Sequence, residues 1–119
     1  MKMSNIHQFD IWFASLPMRE DSHVQGGRRP VIVVSNEVAN KYSPIVSVIP
    51  LTSKVRKRRL PTHVSLCVAG LPVRSLALCE QLTVIDKRQL ANRVGTISDP
   101  FDRDAINRAM AVQLGMAAA

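Results

Sequence analysis

The apolar positions of this chain come in short runs divided by turn residues, a pattern of many strands with little helix. Ile11 to Leu16 is rich in β-forming residues and is stopped by Pro17, which predicts a first strand. Met18 to Arg28 holds Glu20, Asp21, Ser22, His23, Gly26 and Gly27 without an apolar period and reads as a polar loop. Pro30 to Ser35 is a β-branched run short enough for a strand buried on both faces, with its proline at the strand entrance, where a missing donor is tolerated. One or two helical turns follow from Asn36 to Tyr42, capped by Ser35 or Asn36 and ended by Pro44. Ile45 to Ile49 then alternates and leads through Pro50 and Leu51 to Thr52, a third strand.

Further strand-like runs lie at His63 to Val68, Ser75 to Val84 and Arg93 to Ile97, divided by Gly70, Pro72 and the polar segment Asp86 to Gln89. At Ser98 the period changes. Asp99 with Ser98 offers an N-cap, Pro100 suits the first helical position, and Asp102 and Asp104 favour the positive end of a helix dipole. Ala105, Ile106, Ala109, Met110, Val112 and Met116 share a face that is expected to pack on the sheet. Six short strands and a terminal helix predict a mainly β fold, a strongly bent sheet or partly closed barrel with a C-terminal helix. At 119 residues the whole chain, 1–119, is expected to form one domain without repeat or linker.

Hydrophobic residues make up 46% of the chain and charged ones 21%, which excludes a disordered polyelectrolyte. Charge changes the picture more: 16 Lys and Arg against 9 Asp and Glu give +7 and a pI near 10.3, so a polyanion, nucleic acid first, is the expected partner. Lys54, Arg56, Lys57, Arg58 and Arg59 crowd into six residues, too self-repelling to pack, and predict an exposed basic arm. On a single strand, each phosphate the arm neutralises would add about −0.7 to the log–log salt slope. Cys67 and Cys79 stand among apolar neighbours and read as small buried residues, their pairing left open. No charged segment followed by a long apolar run opens the chain and no run nears a membrane span, so a cytoplasmic protein without membrane contact is expected.

Candidate chemistry is confined to a few places. Gln25, Gly26, Gly27, Arg28 and Arg29 lead into Pro30, and glycines beside an arginine fork suit close approach to a phosphodiester. Thr52 and Ser53 end the third strand just before the basic arm, where their hydroxyls either donate to a phosphate or simply form a turn. His7, His23 and His63 lack a ligand pattern, so no metal and no cofactor are expected. Walker-type, nucleophile-elbow and dinucleotide fingerprints are missing from the sequence, and with 4% aromatics, base-stacking platforms are not expected to dominate.

Taken in order, Asp10-Ile11-Trp12, Gln25 to Val31, Ser43-Pro44, Pro50 to Ser53, Leu60 to Val64, Leu78 to Gln81 and Thr83 to Lys87 resemble the MazF/PemK family of bacterial toxin endoribonucleases, over roughly residues 8 to 115. The resemblance implies an SH3-like small β-barrel of the CcdB/MazF type with a C-terminal helix. It implies a homodimer whose groove binds single-stranded RNA, and an antitoxin whose acidic tail blocks that groove. Operator DNA would be met only through the antitoxin complex. Arg29 and Thr52 match the family's catalytic-looking positions, and His63 and Glu80 match positions implicated in catalysis or RNA contact. Gln25, Gly26, Gly27, Arg28, Ser53, Lys54, Arg56, Lys57, Arg58 and Gln81 are the expected RNA-binding set. Phe9 stands where the family usually has a glycine, and Val24 where it usually has an acidic residue.

By this resemblance the ribose 2′-hydroxyl attacks its own phosphorus, with no metal required, and Arg29 and Thr52 stabilise the charge that develops. His63, Glu80 or Glu20 would supply the base, with His63 preferred on the ordinary pKa of imidazole. Two rivals share the fold: a toxin acting on a topoisomerase through protein contacts, and a non-catalytic RNA-binding module.

Overall fold

The β-branched runs seen in the sequence become the centre of one bent antiparallel sheet. A computed structural model describes residues 5–54 and 58–119. In chain order the elements are β1 (Asp10–Leu16), β2 (Gly27–Val33), α1 (Glu37–Tyr42), β3 (Ile45–Thr52), β4 (His63–Leu66), β5 (Ser75–Leu78), β6 (Thr83–Asp86), β7 (Leu90–Thr96) and α2 (Pro100–Gln113). The sheet runs β4-β5-β3-β2-β1-β7, with β6 also paired to β3, and it does not close on itself.

β2 is buried on both faces from Val31 to Val33, as its β-branched run predicts, and β3 is buried from Val48 to Thr52 although Ile45 to Ile49 alternates in sequence. Ile32, Ile49 and Leu51 join Ile106 and Ala109 of α2 in one cluster, while Val31, Val33, Val46 and Val48 join Trp12 in another. Each such side chain contributes roughly 1.5–3 kcal/mol by leaving water, so the two central strands form the rigid part of the molecule.

Seven strands are described where six are expected, because the run Ser75 to Val84 is broken by a 3-10 turn at Cys79–Gln81. The reason is topological. β5 pairs Leu51 and Thr52, whereas β6 pairs Ile45 to Val48 of the same strand, so the chain must step from one stretch of β3 to the other. Helix α2 packs against that step and against β4.

Other boundaries follow local chemistry. Asn36, not Ser35, caps α1 through its side chain to the Ala39 N–H. Asp99 caps α2 by accepting from the Phe101 N–H, with Pro100 in the first turn. At its far end the Gly115 N–H donates to Val112 and the Met116 N–H to Ala111, with Gly115 left-handed at φ 72°, so the helix closes in a Schellman motif. Met116 therefore lies past the helix and is exposed, contrary to its expected place on the packing face. Cys67 is likewise exposed, because β4 ends at Leu66; Cys79 is buried, and both thiols are free.

Phe9 is one of two non-glycine residues described at positive φ, at 71°. The backbone thus keeps the conformation a glycine would favour while carrying a ring. That ring is buried in the cluster beneath α2, with the Arg103 guanidinium 4.9 Å above it. The Phe9 N–H donates to Val33 at 2.7 Å and its carbonyl accepts from Ile97 at 3.0 Å, which fixes the conformation from both sides. Phe9→Gly would relieve a left-handed cost of about 1–2 kcal/mol but delete a buried phenyl group worth about 3–5 kcal/mol. Stability is expected to fall by about 2 kcal/mol, measured by urea unfolding. A midpoint that rose instead would show strain outweighing burial.

Candidate functional site

The site begins with the donor that Pro30 lacks. Val34 donates its N–H to Ser47, so alternate residues of β2, Pro30 and Ile32 among them, turn their backbone groups toward β3. The β2–β3 ladder pairs Val33 with Val48, Ile32 with Ile49 and Val31 with Pro50. The next rung would join Pro30 to Leu51 and needs the N–H that proline does not have. The ladder stops there. β2 continues back to Gly27 on β1 alone, while β3 runs on to Thr52 with β5. Pro30 therefore lies inside its strand, not at the entrance as expected, but it does mark where pairing with β3 begins.

Beyond that stop the two strands separate around a hollow of about 310 Å³, whose lining includes Phe13, Arg28, Arg29, Thr52, Ser53 and Lys54. Continuing the register past the break places Arg29 opposite Thr52. The expected pair thus shares one depression. Arg29 is half-buried, and its Nε–H donates to the Gly26 carbonyl at 3.0 Å. Gly26 has no room for a side chain: a Cβ there would stand 2.5 Å from the Pro17 carbonyl oxygen. Gly27, at φ 79°, turns the chain into β2.

Thr52 is buried, and its Oγ1 accepts the Lys54 N–H at 3.2 Å. The hydroxyl thus forms the turn, and because it accepts there it keeps its own hydrogen to give. Ser53 and Lys54 are exposed where they line the hollow, and Arg58 and Arg59 are exposed too. Arg56 and Lys57 lie outside the described residues. Arg28 stacks its guanidinium 5.4 Å from the centre of the Phe13 ring and donates to Asn92 at 3.2 Å.

Glu80 and His63 do not line this hollow. Glu80 instead lines a second one of about 420 Å³ together with Gln25 and Gln81. Its carboxylate accepts from the Thr62 hydroxyl at 3.3 Å and lies 2.8 Å from His63 Nε2. His63 Nδ1 accepts the Leu60 N–H at 3.1 Å, which puts the ring proton on Nε2, aimed at Glu80. Both ring nitrogens are engaged inside the fold. Next to Glu80, burial and the carboxylate's charge push the Cys79 thiol up to about 12, so it takes no part as a nucleophile.

At the second hollow the Gln25 N–H donates to Gln81 Oε1 at 2.7 Å and Gln81 Nε2 donates to the His23 carbonyl at 3.2 Å. Glu20 and His23 are exposed in the loop. His7 lies far along the sheet, 2.9 Å from Glu37. The Gln8 N–H, and then His7 itself, hold the Glu37 carboxyl below the usual carboxylate range. Among the described residues no three His, Cys, Asp or Glu side chains converge as a metal site. No described helix is long and apolar enough to cross a membrane.

Phe13 and the Pro72-Val73 stretch were not singled out in the sequence, yet they wall the Arg29–Thr52 hollow. Phe13 sits in an ordinary strand run, and only its pairing with Pro30 reveals that it borders the opening.

Comparison with known proteins bears on what this arrangement does. A family described as PemK-like, MazF-like toxin of type II toxin-antitoxin system matches residues 7–114. The chain is 34% identical over 109 residues to endoribonuclease EndoA of Bacillus subtilis, covering 90% of this chain and 92% of that one. It is 35% identical over 109 residues to endoribonuclease MazF of Staphylococcus saprophyticus, covering 90% and 89%. Among solved structures, a mycobacterial endoribonuclease in complex with its cognate antitoxin superposes with a TM-score of 0.77 at 22% identity, over 96% of this chain and 99% of that one. The Mycobacterium tuberculosis toxin MazF-mt6 gives 0.74 at 25% identity, over 91% and 98%. The small barrel-like architecture with its terminal helix is the one these structures share.

Because the Gly26 carbonyl anchors Arg29, Gly26→Ala is expected to disturb more than packing. Forcing a methyl group against the Pro17 backbone should cost about 1–3 kcal/mol in urea unfolding. It should also speed solvent exchange of the Arg29 Nε–H in NMR spectra. An Arg29 Nε–H equally protected in both proteins would count against the anchor.

Proposed function

Because the chain belongs to the PemK-like, MazF-like family of type II toxin–antitoxin toxins, we propose that it is the toxin of such a system, an endoribonuclease that cuts single-stranded RNA without a metal. The observation that carries this reading is the shared hollow of Arg29 and Thr52, opened by the end of the β2–β3 ladder.

RNA brings its own nucleophile. The 2′-hydroxyl loses its proton, its oxygen bonds to the adjacent phosphorus, the bond to the 5′-oxygen breaks, and that oxygen takes up a proton. The products are a 2′,3′-cyclic phosphate and a 5′-hydroxyl. What the protein must supply is position and charge. Arg29, held by Gly26, faces the non-bridging oxygens with its planar fork and gives the leaving oxygen its proton, while the Thr52 hydroxyl donates to a non-bridging oxygen. No step in this scheme calls for a Lewis acid, which is the ground for metal independence. The lining of the hollow holds neither carboxylate nor imidazole, so the 2′-proton passes to water.

His63 then serves differently from the base expected of it. It orients Glu80, whose carboxylate, with Gln25 and Gln81, presents acceptors and donors to a base lodged in the second hollow. Arg28, Gly27, Ser53 and Lys54, with the arm from Arg56 to Arg58, guide the backbone. The partners follow from the same reading: a homodimer that completes the RNA groove, and an antitoxin with an acidic tail; that an antitoxin is a partner is supported by the mycobacterial relative solved with its own. Operator DNA is reached through that complex, and the setting is the cytoplasm, where mRNA lies.

The test is incubation of the purified chain with labelled mixed-sequence RNA in EDTA, followed by mapping of both ends. Cleavage with the ends named above is expected, and Arg29→Ala and Thr52→Ala should each lower kcat by about 10²–10³. Intact RNA from the wild type would sink the reading and leave a toxin acting by protein contacts or an RNA-binding module. His63→Ala is expected to raise KM several-fold, about 1 kcal/mol of recognition, while kcat keeps its dependence on pH. Loss of one limb of the pH profile would return the imidazole to the role of base.

A further inference from the structure

On the far side of Thr52 and Ser53 lies a third depression, of about 150 Å³, into which Lys54, Arg59 and Arg74 all open. It shares Thr52, Ser53, Lys54 and Ser75 with the cleavage hollow, so the two are neighbours across the end of β3. Among the described residues the remaining lining is hydroxyl and cation, with Leu76 the one apolar side chain and no carboxylate. A lining of that kind suits an anion and offers no platform for a base.

Arg74 is placed there by the β4–β5 hairpin. It immediately precedes β5, and its Nη1 donates to Ser65 Oγ of β4 at 3.1 Å, so the exposed guanidinium is held across the hairpin. An arginine fixed by one donor keeps the others pre-oriented, which lowers the entropy cost of gripping a ligand oxygen. Among the described residues no carboxylate pairs with Arg59 or Arg74. Two unneutralised arginines and a lysine around one small depression repel one another, and a phosphate between them would relieve that repulsion.

We propose that Arg74, Arg59 and Lys54 form a second anion subsite, which seats a non-scissile backbone phosphate of the RNA while Arg29 and Thr52 act on its neighbour. The proposal rests on the endoribonuclease reading above. It assigns Arg74 and Arg59 to substrate register: they fix which phosphodiester is presented to Arg29, without touching the reacting atoms.

The experiment is a phosphate scan. A short RNA containing one cleavable site is prepared as a series, each member carrying a single uncharged methylphosphonate at a non-scissile position. Wild type, Arg74→Ala, Arg59→Ala and Arg74→Lys are compared for kcat and KM at fixed salt. For wild type, neutralising one position should raise KM about tenfold, the scale of one charge-assisted contact, with kcat unchanged. Arg74→Ala and Arg59→Ala should raise KM about as much on the unmodified RNA and show no further penalty at that same position. Arg74→Lys should recover part of the loss.

Wild-type cleavage with KM unchanged in both alanine variants overturns the subsite and leaves the endoribonuclease reading intact. So does a penalty spread evenly over all positions, which would mean general attraction only. Unchanged RNA kinetics with weakened binding of an acidic peptide would assign the depression to a protein partner and overturn the proposal too. RNA left uncut by the wild type removes both the reading and the subsite. All the substituted side chains are exposed, and matching urea midpoints confirm that the variants fold.

Discussion

One missing hydrogen atom organises this molecule. Pro30 has no N–H to give β3, and the pairing of β2 with β3 ends one rung short of Leu51. Had the ladder continued, Arg29 and Thr52 would have faced each other across a closed sheet, with their spacing set by strand geometry and no room between them for a ligand. With the ladder stopped, β2 stays on β1 while β3 is taken over by β5, and the same two residues face each other across an opening. Pro50 fits the same logic on the other edge of β3. Its nitrogen faces the gap between Val48, where β6 ends, and Leu51, where β5 begins. Both prolines sit where no rung is formed.

The opening is rigid because what flanks it is buried on both faces. Val31, Val33, Val46 and Val48 pack on one side and Ile32, Ile49 and Leu51 on the other, so the strand ends that carry the site cannot drift apart without disturbing two clusters. Helix α2 extends this support to the second hollow, packing on the Cys79–Gln81 turn that carries Glu80 and Gln81. Even Phe9, held left-handed, contributes its ring to the cluster under α2. A rigid frame lets a cationic lining keep its donors in place without the reorganisation that water would require.

Much of this was legible in the sequence, for reasons that can be named. The β-branched runs predicted the central strands, Ser98-Asp99-Pro100 predicted the start of α2, and the crowded cations predicted exposure at Lys54, Arg58 and Arg59. Arg29 and Thr52 were found because motif order marked them, and the register then brought them to one hollow. What escaped was whatever depends on three-dimensional detours. Ser75 to Val84 reads as one strand because nothing local announces that β3 must be shared between β5 and β6. Arg74 stands alone between Val73 and Ser75, and only the hairpin carries it toward the site. His63 invites the role of base by residue type, yet the Leu60 N–H and Glu80 occupy both its nitrogens.

Two neighbouring residues of the glycine loop connect the parts of the site. The Gly26 carbonyl accepts the Arg29 Nε–H, and the Gln25 N–H donates to the Gln81 side chain, which itself donates to the His23 carbonyl. One short stretch of backbone therefore bonds a lining residue of each hollow, Arg29 of the first and Gln81 of the second. At Gly26 a side chain would stand 2.5 Å from the Pro17 carbonyl oxygen, so a glycine is needed where the backbone passes from one bond to the other. The guanidinium hangs from the Gly26 carbonyl. On the proposed function, a base that displaced Gln81 in the second hollow would be felt at Arg29 through this stretch, so a wrong base would cost rate as well as affinity. Selectivity of this kind comes from differential stabilisation of the transition state, and binding alone would not provide it.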